Sequence, residues 1–183
     1  ECWINKENEL TSLRKIYFVG DSHNESMSQS AEYLSKKISD PIFIHSRRGT
    51  VFPLVAKNLI MSGGGSRQSL KNHKRNLIQS VAENYLISNI KEGDIVIISI
   101  RLPYYFGSKD FSNDQVKFSY IDRDNDIVSK KDFFEKWKKA VSDFANNLET
   151  RNAKLIISSP TPEWHNFDVQ SCGSIQWFNK LST

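Results

Sequence analysis

Short apolar runs alternate along this chain with longer stretches in which apolar residues recur every three or four positions. The short runs are rich in β-branched residues and are bounded by turn-forming residues, which predicts buried strands. The longer stretches predict helices that pack one face against those strands. The predicted strands lie near residues 15–19, 41–45, 95–100 and 153–158, and the predicted helices near residues 24–38, 68–90 and 133–148.

The pattern also predicts which faces of the helices are apolar. The second helix is predicted to carry Leu70, Leu77, Val81 and Tyr85 on one face. The third has an apolar, largely aromatic stripe that is typical of a core face. Two stretches show neither the strand pattern nor the helix pattern of apolar residues. Residues 108–129 form a polar insertion, and the three glycines within residues 61–66 make either a plain loop or a cradle for an anion. No Gly-Lys-Ser/Thr follows them, so this is not a P-loop.

The order of elements predicts one domain over residues 1–183 with a three-layer α/β/α fold and a mainly parallel sheet. In such sheets ligands bind beyond the carboxyl ends of the strands. Functional residues are therefore expected directly after the predicted strands.

Composition and charge narrow the class of protein. The chain is 38% hydrophobic and 25% charged, and it has 11 Phe, 6 Tyr and 4 Trp, which indicates a folded globular domain. The net charge is +4, and its basic residues are scattered. This scatter favours a solvated surface over a nucleic-acid footprint, with attraction to anionic cell-surface polymers as a weaker alternative.

The two ends of the sequence and its cysteines do not determine the cellular compartment. No apolar stretch approaches the roughly 20 residues that span a bilayer, and the first residues do not resemble a signal peptide. Either the protein is cytosolic, or a leader or membrane segment lies outside the sequence. Cys2 and Cys172 fit no zinc motif. In an exported domain they would join the two ends or pair with a cysteine elsewhere, and in a cytosolic one they would be plain thiols.

The most informative motif is Gly-Asp-Ser-His at residues 20–23, where the first strand passes into the first helix. This position can expose the hydroxyl of Ser22 and turn its backbone amide toward a developing oxyanion, with help from the helix dipole. The alternative is that Asp21 or Ser22 only caps the helix. Gly49, Arg101 and the Pro-flanked loop at residues 160–163 also follow predicted strands. Their convergence with Ser22 at one edge favours a catalytic site.

These pieces resemble the SGNH hydrolase-like superfamily, and most closely the SGNH domains fused to acyltransferase-3 domains in bacterial surface-polysaccharide O-acetylation. The resemblance is carried by residues 16–23, 94–105, 159–164 and 172–178, which together span nearly the whole chain. It implies a nucleophile at Ser22 and an oxyanion hole made by the amides of Ser22 and Gly49, with Gly63 to Gly65 as the alternative. Arg101 lies where many relatives have an Asn donor, and it either assists the reaction or holds the edge together through a salt bridge. The residues predicted to contact substrate are Asp21, His23, Tyr104, Glu163 and Trp164.

The sequence departs from the family pattern at the general base. The family uses a His in a C-terminal Asp-x-x-His motif, and this sequence contains none. The expected last strand and last helix are also missing, so we expect the catalytic Asp and His on a C-terminal segment outside this sequence. Substitution by His23, or by His165 with Asp168 nearby, is an alternative, and a degenerate protein that binds without turnover is another.

The resemblance implies a serine acyltransferase that moves an O-acyl group, in the first instance acetyl, onto a surface polysaccharide. The alternatives are a carbohydrate O-acetyl esterase, a catalytically degenerate glycan-binding domain and, less favoured, a flavodoxin-like binding domain. No metal or organic cofactor is expected. The expected partners are an acylated donor, a glycan acceptor and an attached membrane acyltransferase domain. The implied location is periplasmic or extracytoplasmic, tethered to the membrane.

Overall fold

A computed structural model describes residues 2–4, 14–47, 51–53, 58–61, 66–102, 105, 118–121 and 127–158 of the protein. The strands are β1 Cys2–Ile4, β2 Ile16–Gly20, β3 Ile42–Ser46, β4 Asn58–Met61, β5 Ile95–Ser99, β6 Phe118–Ile121, β7 Ile127–Val128 and β8 Lys154–Ser158. The helices are α1 Ser22–Ser26, α2 Ser28–Ser35, α3 Ser66–Asn89 and α4 Lys130–Glu149.

The main sheet has five strands in the order β1-β3-β2-β5-β8. The four strands β3, β2, β5 and β8 are parallel, and β1 joins the edge of β3 in the antiparallel direction. A second sheet of three antiparallel strands has the order β4-β6-β7. The predicted α/β fold with a mainly parallel sheet is therefore confirmed.

Helices cover both faces of the main sheet because neighbouring residues of each strand point to opposite sides. On one face, Tyr17 and Val19 of β2 pack in a core cluster with residues of α3 and α4. On the other face, Ile16 and Phe18 pack with Ala31 of α2. The strands β2, β3 and β5 thus have apolar residues packed on both faces, which explains why their sequences are nearly continuous apolar runs. The edge strand β8 differs, since Ile156 and Ile157 are exposed at 47% and 45%.

The predicted apolar face of α3 is wrong at Leu77 and Val81, whereas Tyr85 packs against the core cluster as predicted. Leu77 and Val81 are exposed at 58% and 55%, whereas Ala82, Leu86 and the polar Gln79 are buried. Gln79 turns inward because its Oε1 lies 3.0 Å from Nε2 of the buried His45 on β3. This pairing places Gln79 on the buried face of α3 and makes His45 a structural residue of β3.

Three further differences concern short elements. The helix predicted over residues 24–38 is two helices, α1 and α2, separated by a turn at Met27. The antiparallel strand β1 lies at the start of the chain, where the sequence analysis places no element. The stretches interpreted as irregular or polar contain β4, β6 and β7, which form the second sheet. Strands of two to four residues carry too few alternations for a period to be recognised.

The connections define where a ligand would bind. The chain leaves β2 through α1 and α2 to reach β3 on one side, then crosses back through α3 to β5 on the other side. The strand order therefore changes direction between β2 and β5. In open α/β sheets the crevice at this switch point, beyond the carboxyl ends of the strands, is the usual ligand site.

β2 ends at a residue that must be glycine. Gly20 has φ of +155°, and a Cβ built on it would lie 1.9 Å from the carbonyl oxygen of Ser99. Side-chain carbon atoms cannot approach a backbone oxygen so closely, so the absence of a side chain allows the ends of β2 and β5 to lie together. The backbone amide of Arg47, after β3, donates to the Gly20 carbonyl at 3.0 Å.

At the opposite end of the strands, where β2 and β5 begin, a buried carboxylate holds the chain. Asp94 accepts from the backbone amides of Lys15 at 2.7 Å and Lys91 at 2.9 Å. Burial raises the pKa of Asp94 above the ordinary aspartate value, although the two amide bonds and the charges of Lys15 and Lys91 act in the opposite direction.

We expect Gly20→Ala to destabilise the protein by about 2 kcal/mol or more, because it adds a clash with β5 to backbone strain. The free energy of unfolding in urea measures this loss. Gly93→Ala is the matched control, since Gly93 is also at positive φ, of +82°, but is exposed. Equal losses in the two variants would contradict the proposed clash.

We also expect a pH dependence from Asp94. The folded state holds the Asp94 proton more tightly than the unfolded chain, so stability falls as the pH rises from the ordinary aspartate range through the raised pKa. The free energy of unfolding of the wild type, relative to that of Asp94→Ala, should decrease over this interval. A difference that stays constant or grows with pH would show that the pKa is not raised.

Candidate functional site

Asp21 connects the two strands at the switch point. It is the N-cap of α1, and its carboxylate is 1% exposed. Oδ1 accepts from the backbone amide of His23 at 2.8 Å, and Oδ2 accepts from the backbone amide of Arg101 at 3.0 Å. One side chain therefore holds both the first turn after β2 and the chain that leaves β5. This geometry makes Asp21 a positioning residue, and its contact with substrate stays a prediction.

Ser22 is the first residue of α1 and is exposed. The capping role that could have explained a serine here belongs to Asp21, whose side chain closes the first turn. The hydroxyl of Ser22 is therefore at the surface of the switch point without serving as the cap. Because α1 has only five residues, the help expected from a helix dipole is small.

His23 follows Ser22 and is partly buried. Its Nδ1 is buried without a hydrogen bond among the described residues, and it lies 3.8 Å from Oδ1 of Asp21. The carboxylate is thus beside the ring but beyond hydrogen-bond distance. The predicted contact between His23 and substrate remains a prediction.

Asn24 is a polar residue of this turn that the sequence analysis misses. It is fully buried, and its Nδ2 donates to the carbonyl of His45 at 3.0 Å and to Oγ of Ser46 at 2.8 Å. These are the last two residues of β3. The sequence carried no signal for this role, because Asn24 is the first residue of the predicted helix, where Asn is common as a cap.

Arg101 follows β5 and is half-buried. Its amide is bound by Asp21, so the backbone of Arg101 lies on the other side of the switch point from β3. The structure therefore brings together Asp21, Ser22, His23 and Arg101 among the predicted site residues. Tyr105, one of the aromatic residues near this edge, is 1% exposed and belongs to the core, so it does not offer a surface for sugar stacking.

Other predicted residues lie outside the part of the chain that the structure describes. They are Gly49, Gly63 to Gly65, Tyr104, the loop at residues 160–163, Glu163, Trp164, His165, Asp168 and Cys172. Arg47 and Val51, on either side of Gly49 in the sequence, are described: Arg47 donates to β2, and Val51 is buried in the core.

The described ranges contain no group of three or more His, Cys, Asp or Glu side chains arranged to hold a metal ion. None of the helices within those same ranges combines the length and apolar character needed to cross a membrane.

Comparison with known proteins supports the family that the motifs indicate. A family model described as "SGNH domain (fused to AT3 domains)" matches residues 1–180. No curated protein and no solved structure matches the chain. The resemblance carried by the motifs is thus confirmed over nearly the whole length. The chain belongs to the family of SGNH domains that are fused to AT3 domains.

Proposed function

We propose that this protein is an SGNH-type serine acyltransferase domain that moves an O-acyl group, in the first instance acetyl, onto a bacterial surface polysaccharide. Membership of a family fused to AT3 domains supports an acyl-transfer or esterase-like role. The acetyl group and the polysaccharide acceptor are our proposal.

The observation that carries the proposal is the exposure of Ser22 at the switch point. Its hydroxyl lies at the surface, and the neighbouring carboxylate of Asp21 is occupied by two backbone amides. A nucleophile needs this combination of an accessible side chain and a turn that cannot shift.

The proposed reaction has two steps. Ser22 Oγ attacks the carbonyl carbon of the acyl donor while a base takes its proton, and the tetrahedral intermediate collapses to an acyl-serine as the donor's alcohol leaves with that proton. A sugar hydroxyl then attacks the acyl-serine and gives its proton to the base. The new ester leaves, and Ser22 regains its proton. Water in place of the sugar gives the esterase alternative.

The groups that would assist this reaction follow from the site and the family pattern. We assign the oxyanion donors to the backbone amides of Ser22 and Gly49, because hydrogen bonds aimed at the developing charge lower the barrier. Arg101 adds a cation on the β5 side. The base is not assigned to a residue, since the sequence has no Asp-x-x-His.

Substrate contacts and location complete the proposal. His23, Tyr104, Glu163 and Trp164 are proposed to contact the acyl donor or the glycan. Attachment to an AT3 domain would supply the acyl group and tether this domain to the membrane on the extracytoplasmic side. The family description supports the attachment.

In the full-length protein, we expect Ser22→Ala to lower the turnover of a chromogenic acetyl ester by roughly 1,000-fold or more, because the acyl-enzyme cannot form. The assay is run with and without an oligosaccharide acceptor, and acetylated acceptor is detected by mass spectrometry. Ser30→Ala is the matched control, since Ser30 is an exposed serine on α2.

The outcomes separate the alternatives. Acetylated acceptor that depends on Ser22 supports the transferase, and Ser22-dependent acetate release alone supports the esterase. Turnover that Ser22→Ala leaves intact would contradict a serine nucleophile. Glycan binding without any turnover would favour the non-catalytic alternative.

A further inference from the structure

We propose that Asn24 is a positioning residue for Ser22. This inference rests on the proposed function, because it takes Ser22 as the nucleophile. Asn24 lies two residues after Ser22 in α1, and its side chain joins this short helix to the carboxyl end of β3.

The contacts of Asn24 close the turn that presents Ser22. The backbone amide of Asn24 donates to the carbonyl of Asp21 at 3.1 Å. Its side-chain nitrogen makes the two bonds to His45 and Ser46. The residues before and after Ser22 are therefore both held, and the hydroxyl between them stays exposed.

The orientation of the Asn24 amide follows from its partners. The carbonyl of His45 can only accept a hydrogen bond, so the side-chain nitrogen must face it. Oδ1 then lies buried without a hydrogen bond among the described residues. Such a group is costly, and Asn is also a poor residue inside a helix. An apolar residue would suit this buried helical position better, so the bonds to β3 are the reason that an Asn fits here.

The anchor on β3 is itself fixed. Ser46 pairs with Gly20 in the parallel ladder. The ring of His45 is buried, with Nε2 at 3.0 Å from Oε1 of Gln79 on α3. A continuous series of polar contacts thus runs from α3 through β3 to the turn of Ser22.

Two attachments on opposite sides hold the nucleophile. Asn24 ties the turn to β3, and Asp21 ties it to the segment after β5. Without the Asn24 side chain, α1 would lose its two hydrogen bonds to the end of β3 and keep the Asp21 bond toward β5, so that Ser22 could move relative to the oxyanion donors. Displacement of a reacting group by about 1 Å can cost about 100-fold in rate.

The test compares Asn24→Ala with a matched control, both made in the full-length protein. Asn89→Ala removes an Asn whose Nδ2 donates to a backbone carbonyl, that of Tyr85, at 2.7 Å on α3 and away from Ser22. For each variant we measure kcat and KM for the chromogenic acetyl ester, the rate of covalent labelling of Ser22 by a fluorophosphonate, and the thermal midpoint. All rates are taken well below the lowest midpoint.

We expect Asn24→Ala to lower kcat and the labelling rate by about 10-fold to 100-fold with KM changed by less than about 2-fold, because the nucleophile is misplaced while the substrate contacts remain. Asn89→Ala should leave both rates within about 2-fold of wild type, since an ordinary lost hydrogen bond affects only stability. Ser46→Ala removes one of the two bonds, and its effect should lie between those of the other variants.

Several results would overturn the inference. Rates for Asn24→Ala that match wild type or the Asn89→Ala control would show that Asn24 has only a structural role. If Asn24→Ala does not fold, Ser46→Ala replaces it in the test. A labelling rate of Ser46→Ala equal to that of wild type would then overturn the proposal. A wild-type protein that neither turns over the ester nor is labelled at Ser22 would refute the proposed function and this inference with it, whereas a reactive wild type with unaffected variants refutes the inference alone.

Discussion

The site depends on the carboxylate of Asp21, which binds the backbone amides of His23 and Arg101 across the switch point of the sheet. An ionised carboxylate makes stronger hydrogen bonds to amides than a neutral acceptor does. Its burial is possible because both oxygens have such partners. The same two bonds start α1 and fix the segment after β5, so the local turn and the tertiary arrangement share one interaction.

That interaction is possible only because β2 and β5 end close together. Gly20 permits the approach, since any Cβ there would collide with the backbone of Ser99. The parallel register then aligns the ends of β3, β2 and β5 at one edge. Asn24 and the amide of Arg47 complete the connection toward β3. The polar contacts therefore lie at the carboxyl ends of strands whose apolar residues are packed on both faces of the sheet.

This arrangement separates support from chemistry. Asp21 and Asn24 are buried and hold the backbone, whereas Ser22 between them is exposed. A side chain that both capped the helix and attacked a substrate would have to break a hydrogen bond before reacting. Assigning the cap to Asp21 leaves the serine side chain free of that role. Membership of the SGNH domains fused to AT3 domains supports an acyl-transfer or esterase-like role.

The sequence by itself determined the order along the chain of the four parallel strands and the helices between them, and the position of Ser22 after the first of these strands, because apolar runs and turn residues are local signals. It also predicted that Ser22 and Arg101 would lie at one edge, since parallel strands carry their carboxyl ends together. Only the tertiary structure decided the rest. The face of α3 followed the pairing of Gln79 with His45, against its hydrophobic pattern. The role of Asn24 likewise depended on a partner 21 residues away. Contacts between distant residues set these features. The local hydrophobic pattern of a sequence does not show which buried polar groups will form contacts with each other.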